Sequence, residues 1–236
     1  MSIDCFLAMT AAEFSSAPVL PNHIAWMACH FSVYGTGLTN LPDTLPPGSL
    51  VIVNDRIPFH RHDPGLIADQ LLSLKERLDI SGFLLDFQRE PTPQVRALTE
   101  HLVERLDVPA GVSEGYAADL PCPVLVSPPP LLKQLSTCSS PWVGREIWLE
   151  AAVEAGVFRI GKEGGTYTPL PYSPPAQPLF YEDALQCHYH ISLPEKAVEF
   201  TFYRQPEDIP PLLQRADALG ITRAVGLYQQ LKTPEA

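Results

Sequence analysis

Short apolar runs that alternate with amphipathic helical segments constrain this chain more than any other feature. The clearest unit is Ile80-Ser81-Gly82-Phe83-Leu84-Leu85-Asp86-Phe87-Gln88-Arg89-Glu90, where an apolar run leaves a helix and ends in acidic and amide side chains. A run apolar on both faces is what a buried parallel strand requires, and its polar end is where such a strand meets solvent. Ile24–His30 reads as a first strand and Ser49–Asn54 as a second. Between Ser49–Asn54 and Gly82–Phe87 lies an amphipathic helix over 64–78, with Asp63 as N-cap and Pro64 in its first turn. Leu66, Ile67, Leu71, Leu74 and Leu78 keep helical spacing there.

The pattern continues along the chain. A helix is expected over Thr92–Leu106, and strands over Ala110–Ser113, Pro123–Val126 and Arg145–Leu149. Gly164-Gly165 between β-prone flanks marks a hairpin within 157–170, and Ala197–Tyr203 pairs with His188–Leu193. Helix Ile209–Leu219, closed by Gly220, leads into a last strand Ala224–Tyr228. Seven or eight mostly parallel strands predict an α/β fold, a compact (β/α)8-type TIM barrel either complete or short of one element. A small β-rich insertion falls near 156–203, and the expected organisation is one domain over 1–236. An open doubly wound sheet is the rival, but no Gly-rich phosphate loop follows the first strand.

Composition narrows the chemistry. A net charge of −11 argues against nucleic acid and anionic membrane surfaces as partners. No apolar run reaches a membrane-spanning length, and residues 1–21 lack the basic start and apolar stretch of a signal peptide. Five cysteines without a Cys-x-x-Cys pair point to a reducing compartment, so a cytoplasmic location is expected. The 26 prolines cluster at Pro46-Pro47, Pro128-Pro129-Pro130 and Pro174-Pro175, where they stiffen loops between elements.

In a barrel, the C-terminal strand ends build the site. Asp55, Asp86 with Gln88 and Glu90, Glu114 and Glu150 all fall at such ends. Asp86 stands out because it sits between Leu85 and Phe87, where an unpaired carboxylate is costly. Tyr203 and Tyr228, also at strand ends, offer flat faces on which a ligand ring could stack. His60-Arg61-His62 and His188-Tyr189-His190 have the alternation of a metal site, but Asp63 already caps a helix and Arg61 would repel a divalent ion. No metal and no cofactor is expected.

Ser81-Gly82-Phe83-Leu84-Leu85-Asp86-Phe87-Gln88 resembles the Asp-Gly-x-Asp-x-Asp-x-Glu strand of family 18 glycoside hydrolases, the chitinase family, with three of its four acids replaced. Further likeness lies in Tyr181-Glu182-Asp183-Ala184, in Phe202–Asp208, and in Gly220–Tyr228, where Tyr228 stands at the position of the family's tryptophan under the sugar. The resemblance implies a glycan ligand of N-acetylglucosamine type. It gives Asp86 the role of orienting the substrate's acetamido group and gives Gln88 the position of the general acid. An amide does not donate a proton usefully near neutral pH, so the resemblance implies a barrel that binds sugar and is impaired in hydrolysis. Ser127-Pro128-Pro129-Pro130 stands where the family keeps Met-x-Tyr-Asp. The alternatives are an active hydrolase whose acid has moved to Glu90, Glu114 or Glu150, and a non-catalytic scaffold barrel.

Overall fold

The computed structural model describes residues 3–127, 134–162, 164–177, 179–194 and 197–231. Strand β1 (Asp4–Met9) runs into helix α1 (Ala11–Ser16), and β2 (Ile24–Phe31) into the two-residue β3 (Leu38–Thr39). Then follow β4 (Ser49–Asn54), α2 (Pro64–Arg77), β5 (Ile80–Asp86), α3 (Pro93–Arg105) and β6 (Ala110–Ser113). β7 (Val124–Val126), the short α4 (Leu135–Ser139) and β8 (Ile147–Glu150) come next. Five antiparallel strands intervene: β9 (Glu154–Gly161), β10 (Gly164–Leu170), β11 (Phe180–Glu182), β12 (Cys187–Ser192) and β13 (Val198–Arg204). Helix α5 (Ile209–Ala218), β14 (Arg223–Leu227) and the single-turn α6 (Tyr228–Leu231) complete the described chain. The Pro128-Pro129-Pro130 run lies outside the described residues.

Eight parallel strands close on themselves in the order β1, β2, β4, β5, β6, β7, β8, β14, because β1 pairs with both β2 and β14. The barrel has all eight strands, and β3 adds an antiparallel edge to β2. Helical coverage is uneven. A three-residue 3-10 turn, Glu114–Tyr116, replaces a helix between β6 and β7, and β3 with its flanking loops does so after β2. The insertion occupies the crossover between β8 and α5 and forms its own sheet, β10-β9-β13-β12-β11.

The barrel's first strand is Asp4–Met9, one element before the Ile24–His30 run that the sequence pattern offers as the first. Asp4–Met9 is as long as Ser49–Asn54 and carries the apolar run Cys5–Met9, and its pairing partners lie near both ends of the chain. The other expected strands appear within a few residues of their predicted bounds. Asp63 caps α2 by accepting the Gly65 N–H, and Thr92 caps α3 through Val95.

Side-chain parity divides the core. Phe6, Ala8, Ala25, Leu50, Ile52, Leu84, Leu125, Trp148 and Val225 point into the barrel, whereas Val51, Val53, Phe83 and Leu85 pack outward under α2 and α3. A third cluster seals β8 and β14 against α5 through Leu149, Ala224, Leu212 and Ala216. Trp148 is fully buried and fills the lower barrel; its Nε1 donates to Glu146 at 2.8 Å and the Arg223 guanidinium lies 5.1 Å over its ring. That packing needs Gly111, since a Cβ there would lie 2.4 Å from Trp148 Cε3. Gly111→Ala is therefore expected to destabilise the protein by roughly 1–3 kcal/mol through overpacking. In urea denaturation, Gly111→Ala/Trp148→Phe should lose less stability than the sum of the two single variants. Additive losses would show that the two positions are not in steric conflict.

Candidate functional site

Parity along the strands decides what reaches the barrel mouth. Gly82, Leu84 and Asp86 alternate on the inner side of β5, so the residue two past Leu84 emerges over the barrel interior. Trp148 and Glu150 repeat this on β8. In β2 a register shift between Trp26 and Cys29 lets both Met27 and Ala28, then His30, face the same space. Asn54 steadies the shifted segment by donating from Nδ2 to the carbonyls of Met27 and Cys29 at 3.2 and 3.1 Å.

The result is a cavity of about 760 Å³ at the C-terminal strand ends. That volume falls in the range of small-ligand pockets. Its floor is apolar, made by Ala8, Ile52, Leu84, Leu125 and Val225, and its rim carries Asn54, Asp55, Asp86, Gln88, Arg89 and Glu150. The Gln88 side-chain amide donates to Asp86 Oδ1. Burial pushes the Asp86 carboxyl up to about 6; the Gln88 hydrogen bond opposes this, and the charges of Glu150 and Asp55 add to it.

Asp55 has a different environment. It is only 5% exposed, and its two carboxylate oxygens accept the backbone N–H groups of Gln88 at 3.0 Å and Arg89 at 2.9 Å. Arg89 answers by donating Nε to the Asp55 carbonyl at 2.9 Å and Nη2 to the Arg56 carbonyl at 3.1 Å. From the other side, Tyr116 donates its hydroxyl to the Arg89 carbonyl at 2.7 Å, and Ser113 Oγ donates to the Phe87 carbonyl at 3.0 Å.

A second acidic centre sits where the insertion leaves the barrel. Glu154, four residues past Glu150, accepts Arg204 Nη1 at 2.6 Å. Burial pushes the Glu154 carboxyl up to about 7; the Arg204 charge pulls against this and that of Glu150 adds to it. Arg204 is itself buried.

Of the residues singled out from sequence, Asp55, Asp86, Gln88 and Glu150 line the cavity. Glu90 is exposed on the turn beyond and is not among the lining residues. Glu114 opens the 3-10 turn after β6, where its Oε1 accepts Trp142 Nε1 at 3.0 Å. Tyr203 lies on β13, in register with His188 and Ala155, away from the lining. Tyr228 begins α6 between two lining residues, Leu227 and Gln230, without being one itself. Gln230, which the sequence reading missed, exchanges two hydrogen bonds with the Val153 backbone. His30, Asn40, Arg56 and Arg89 were missed as well; all but Asn40 fall at or within three residues of a parallel-strand terminus, the one signal that would have found them.

One histidine of each pair is engaged away from the cavity. His62 Nδ1 accepts the His60 N–H at 3.0 Å, which leaves Nε2 to donate to the Ser32 carbonyl at 2.9 Å. His188 Nδ1 lies 3.0 Å from Asp208 Oδ2. Among the described residues no group of three or more His, Cys, Asp or Glu is placed to hold a metal, and no helix is long and apolar enough to cross a membrane.

No protein-family profile matches the sequence, and no curated protein matches it. Solved structures do share the fold. The class V chitinase of Nicotiana tobaccum is 9% identical with a TM-score of 0.60, over 99% of this chain and 95% of that one. A GH18 chitinase of Cycas revoluta, in a form with a Gly-to-Trp and a Glu-to-Gln substitution and in complex with (GlcNAc)4, is 10% identical with a TM-score of 0.58, over 96% and 95% of the two chains. The spore cortex-lytic enzyme SleL of Bacillus cereus is 9% identical with a TM-score of 0.58, over 99% of this chain and 72% of that one. The tobacco enzyme is also known as a Glu-to-Gln mutant in complex with NAG4. The chain thus has the closed eight-stranded barrel of the family 18 chitinases.

Proposed function

We propose that this protein is a glycan-binding barrel of chitinase type, with an N-acetylglucosamine-type ligand seated over Asp86 and with Gln88 in place of the hydrolytic acid. One observation carries the reading: the two side chains that the resemblance pairs meet at the cavity rim, the Gln88 amide donating to Asp86. Glutamine keeps the length and hydrogen-bonding reach of glutamate while removing its proton. In two of the fold relatives a Glu-to-Gln mutant is described in complex with an N-acetylglucosamine tetramer, which supports a glutamine-bearing site that binds without cleaving.

The roles follow from the chemistry of each group. Ionised Asp86 accepts hydrogen bonds only, so it suits an acetamido N–H of the ligand. The apolar floor of Ile52, Leu84 and Val225 suits the methyl and ring C–H faces of a neutral sugar. The Gln88 amide offers no proton to a glycosidic oxygen at neutral pH. Glu150 sustains one other reading, an active hydrolase with a relocated acid, because it lines the same cavity and its charge acts on Asp86.

Calorimetry with N-acetylglucosamine tetramer is expected to show binding by the native protein without turnover. Asp86→Ala should abolish that heat. Gln88→Glu should bring hydrolysis of a fluorogenic chito-oligosaccharide above background, by about 100-fold or more, since a general acid contributes about 10²–10⁴-fold. Turnover by the native protein that Glu150→Gln removes would transfer the assignment to the relocated acid. An absence of heat and of any thermal shift across a broad glycan panel would end the binding reading.

Binding should also depend on pH. The free protein holds Asp86 at about 6, and the ligand requires the ionised form. The dissociation constant should be flat above pH 7 and weaken as the carboxylate protonates, by about tenfold at pH 5. Asp86→Asn should flatten the profile.

A further inference from the structure

The geometry points to Asp55 as a positioning residue, one that holds the 87–89 turn so that Gln88 reaches Asp86. Its link to sugar binding rests on the reading above; the clamp itself rests on hydrogen bonds within the protein.

Three observations carry it. First, both oxygens of Asp55 are engaged with the turn: Oδ1 takes the Gln88 N–H and Oδ2 takes the Arg89 N–H. Two backbone donors on one nearly buried carboxylate form a two-point grip on successive peptides, and charge-assisted bonds of this kind are stronger than neutral ones. Second, the grip crosses between neighbouring strands. Asp55 follows β4, the turn follows β5, and the last paired residues of the two strands are Asn54 and Asp86. The clamp continues that ladder past its end, where the backbone has no sheet partner. Third, the opposite side of the turn is held by Ser113 at the end of β6 and by Tyr116 in the 3-10 turn after it, while the Phe87 ring packs edge-on against Tyr116 at 5.6 Å. Fixed from both flanks, residue 88 has its backbone set, and its side chain needs only its own rotamer to meet Asp86.

A carboxylate that merely adds negative charge to the rim acts differently from one that holds the turn, and the Asp86 carboxyl distinguishes them. The negative charge of Asp55 raises the Asp86 pKa, whereas the Gln88 hydrogen bond lowers it and is the larger influence of the two. Glu150 from β8 is the other charge acting on Asp86. Removing only the charge of Asp55 therefore moves the Asp86 midpoint down; releasing Gln88 moves it up.

The test is carbon-detected NMR titration of Asp86 in the native protein, Asp55→Asn and Asp55→Ala, with thermal melts as the folding control. Asparagine loses the charge and one of the two grips but keeps the other acceptor and the approximate shape, so its Asp86 midpoint should lie below that of the alanine variant. Alanine removes the grip, so its midpoint should rise above that of the native protein. A fall in both variants would overturn the positioning role. Should Asp55→Ala not fold, amide hydrogen exchange in the native protein decides the matter. The Gln88 and Arg89 N–H groups should exchange at least about 100-fold more slowly than in unstructured chain, and unprotected amides there would also overturn it. Titration with N-acetylglucosamine tetramer forms a separate arm. If the native protein binds none, the glycan reading falls, while the clamp stands or falls on the NMR alone.

Discussion

Everything at the barrel mouth depends on closure through β1. Without the pairing of Asp4–Met9 to both β2 and β14, the eight parallel strands would form an open sheet with two edges. Closure also fixes parity. Once the sheet curls on itself, every second residue of each strand must face a lumen too narrow for anything but packed side chains. Leu50, Ile52, Leu84, Leu125 and Val225 fill it, Trp148 plugs its lower end against Gly111, and Asp86 and Glu150 emerge where the filling stops. The position of the acidic groups is thus a consequence of strand alternation.

The site concentrates negative charge in a setting that resists it. Asp86 rises from an apolar floor, with Glu150 and Asp55 as like-charged neighbours, and its raised pKa records both burial and repulsion. Three different devices relieve that strain. Asp55 is neutralised in effect by two backbone donors and by the nearby Arg89. Glu154 is paired with buried Arg204. Asp86 is met by a neutral amide, from Gln88, which stabilises its ionised form without cancelling its charge.

Much of this was legible in sequence because it is local. The apolar runs Ser49–Asn54 and Gly82–Phe87, the Asp63 cap, the Gly164-Gly165 hairpin and the strand-end position of Asp86 follow from spacing and turn chemistry over a few residues. What failed to show was non-local. Strand β1 is defined by partners some 20 and 220 positions away, and the grip of Asp55 on Gln88 spans 33 residues. Glu114 looked like a strand-end acid from its position, yet the 3-10 turn directs it to Trp142. Tyr203 ends a strand as expected, but one belonging to the inserted sheet, whose orientation relative to the barrel mouth no local pattern encodes. Arg89 and Gln230 carried no motif at all; they matter because chain segments distant in sequence meet at one rim.

A glutamate at position 88 would change the balance of the whole rim. It would replace a donor to Asp86 with a second carboxyl at contact distance, in a cavity that already holds Glu150 and Asp55. Two acids that close share a proton, so one of them stays protonated near neutral pH. That property is what glycoside hydrolysis asks of its acid, and it comes with repulsion that weakens the native state once the proton leaves. Glutamine removes the repulsion and the reactivity together. Because its amide reaches Asp86, the glutamine present keeps the rim ordered with one carboxylate fewer beside Asp86.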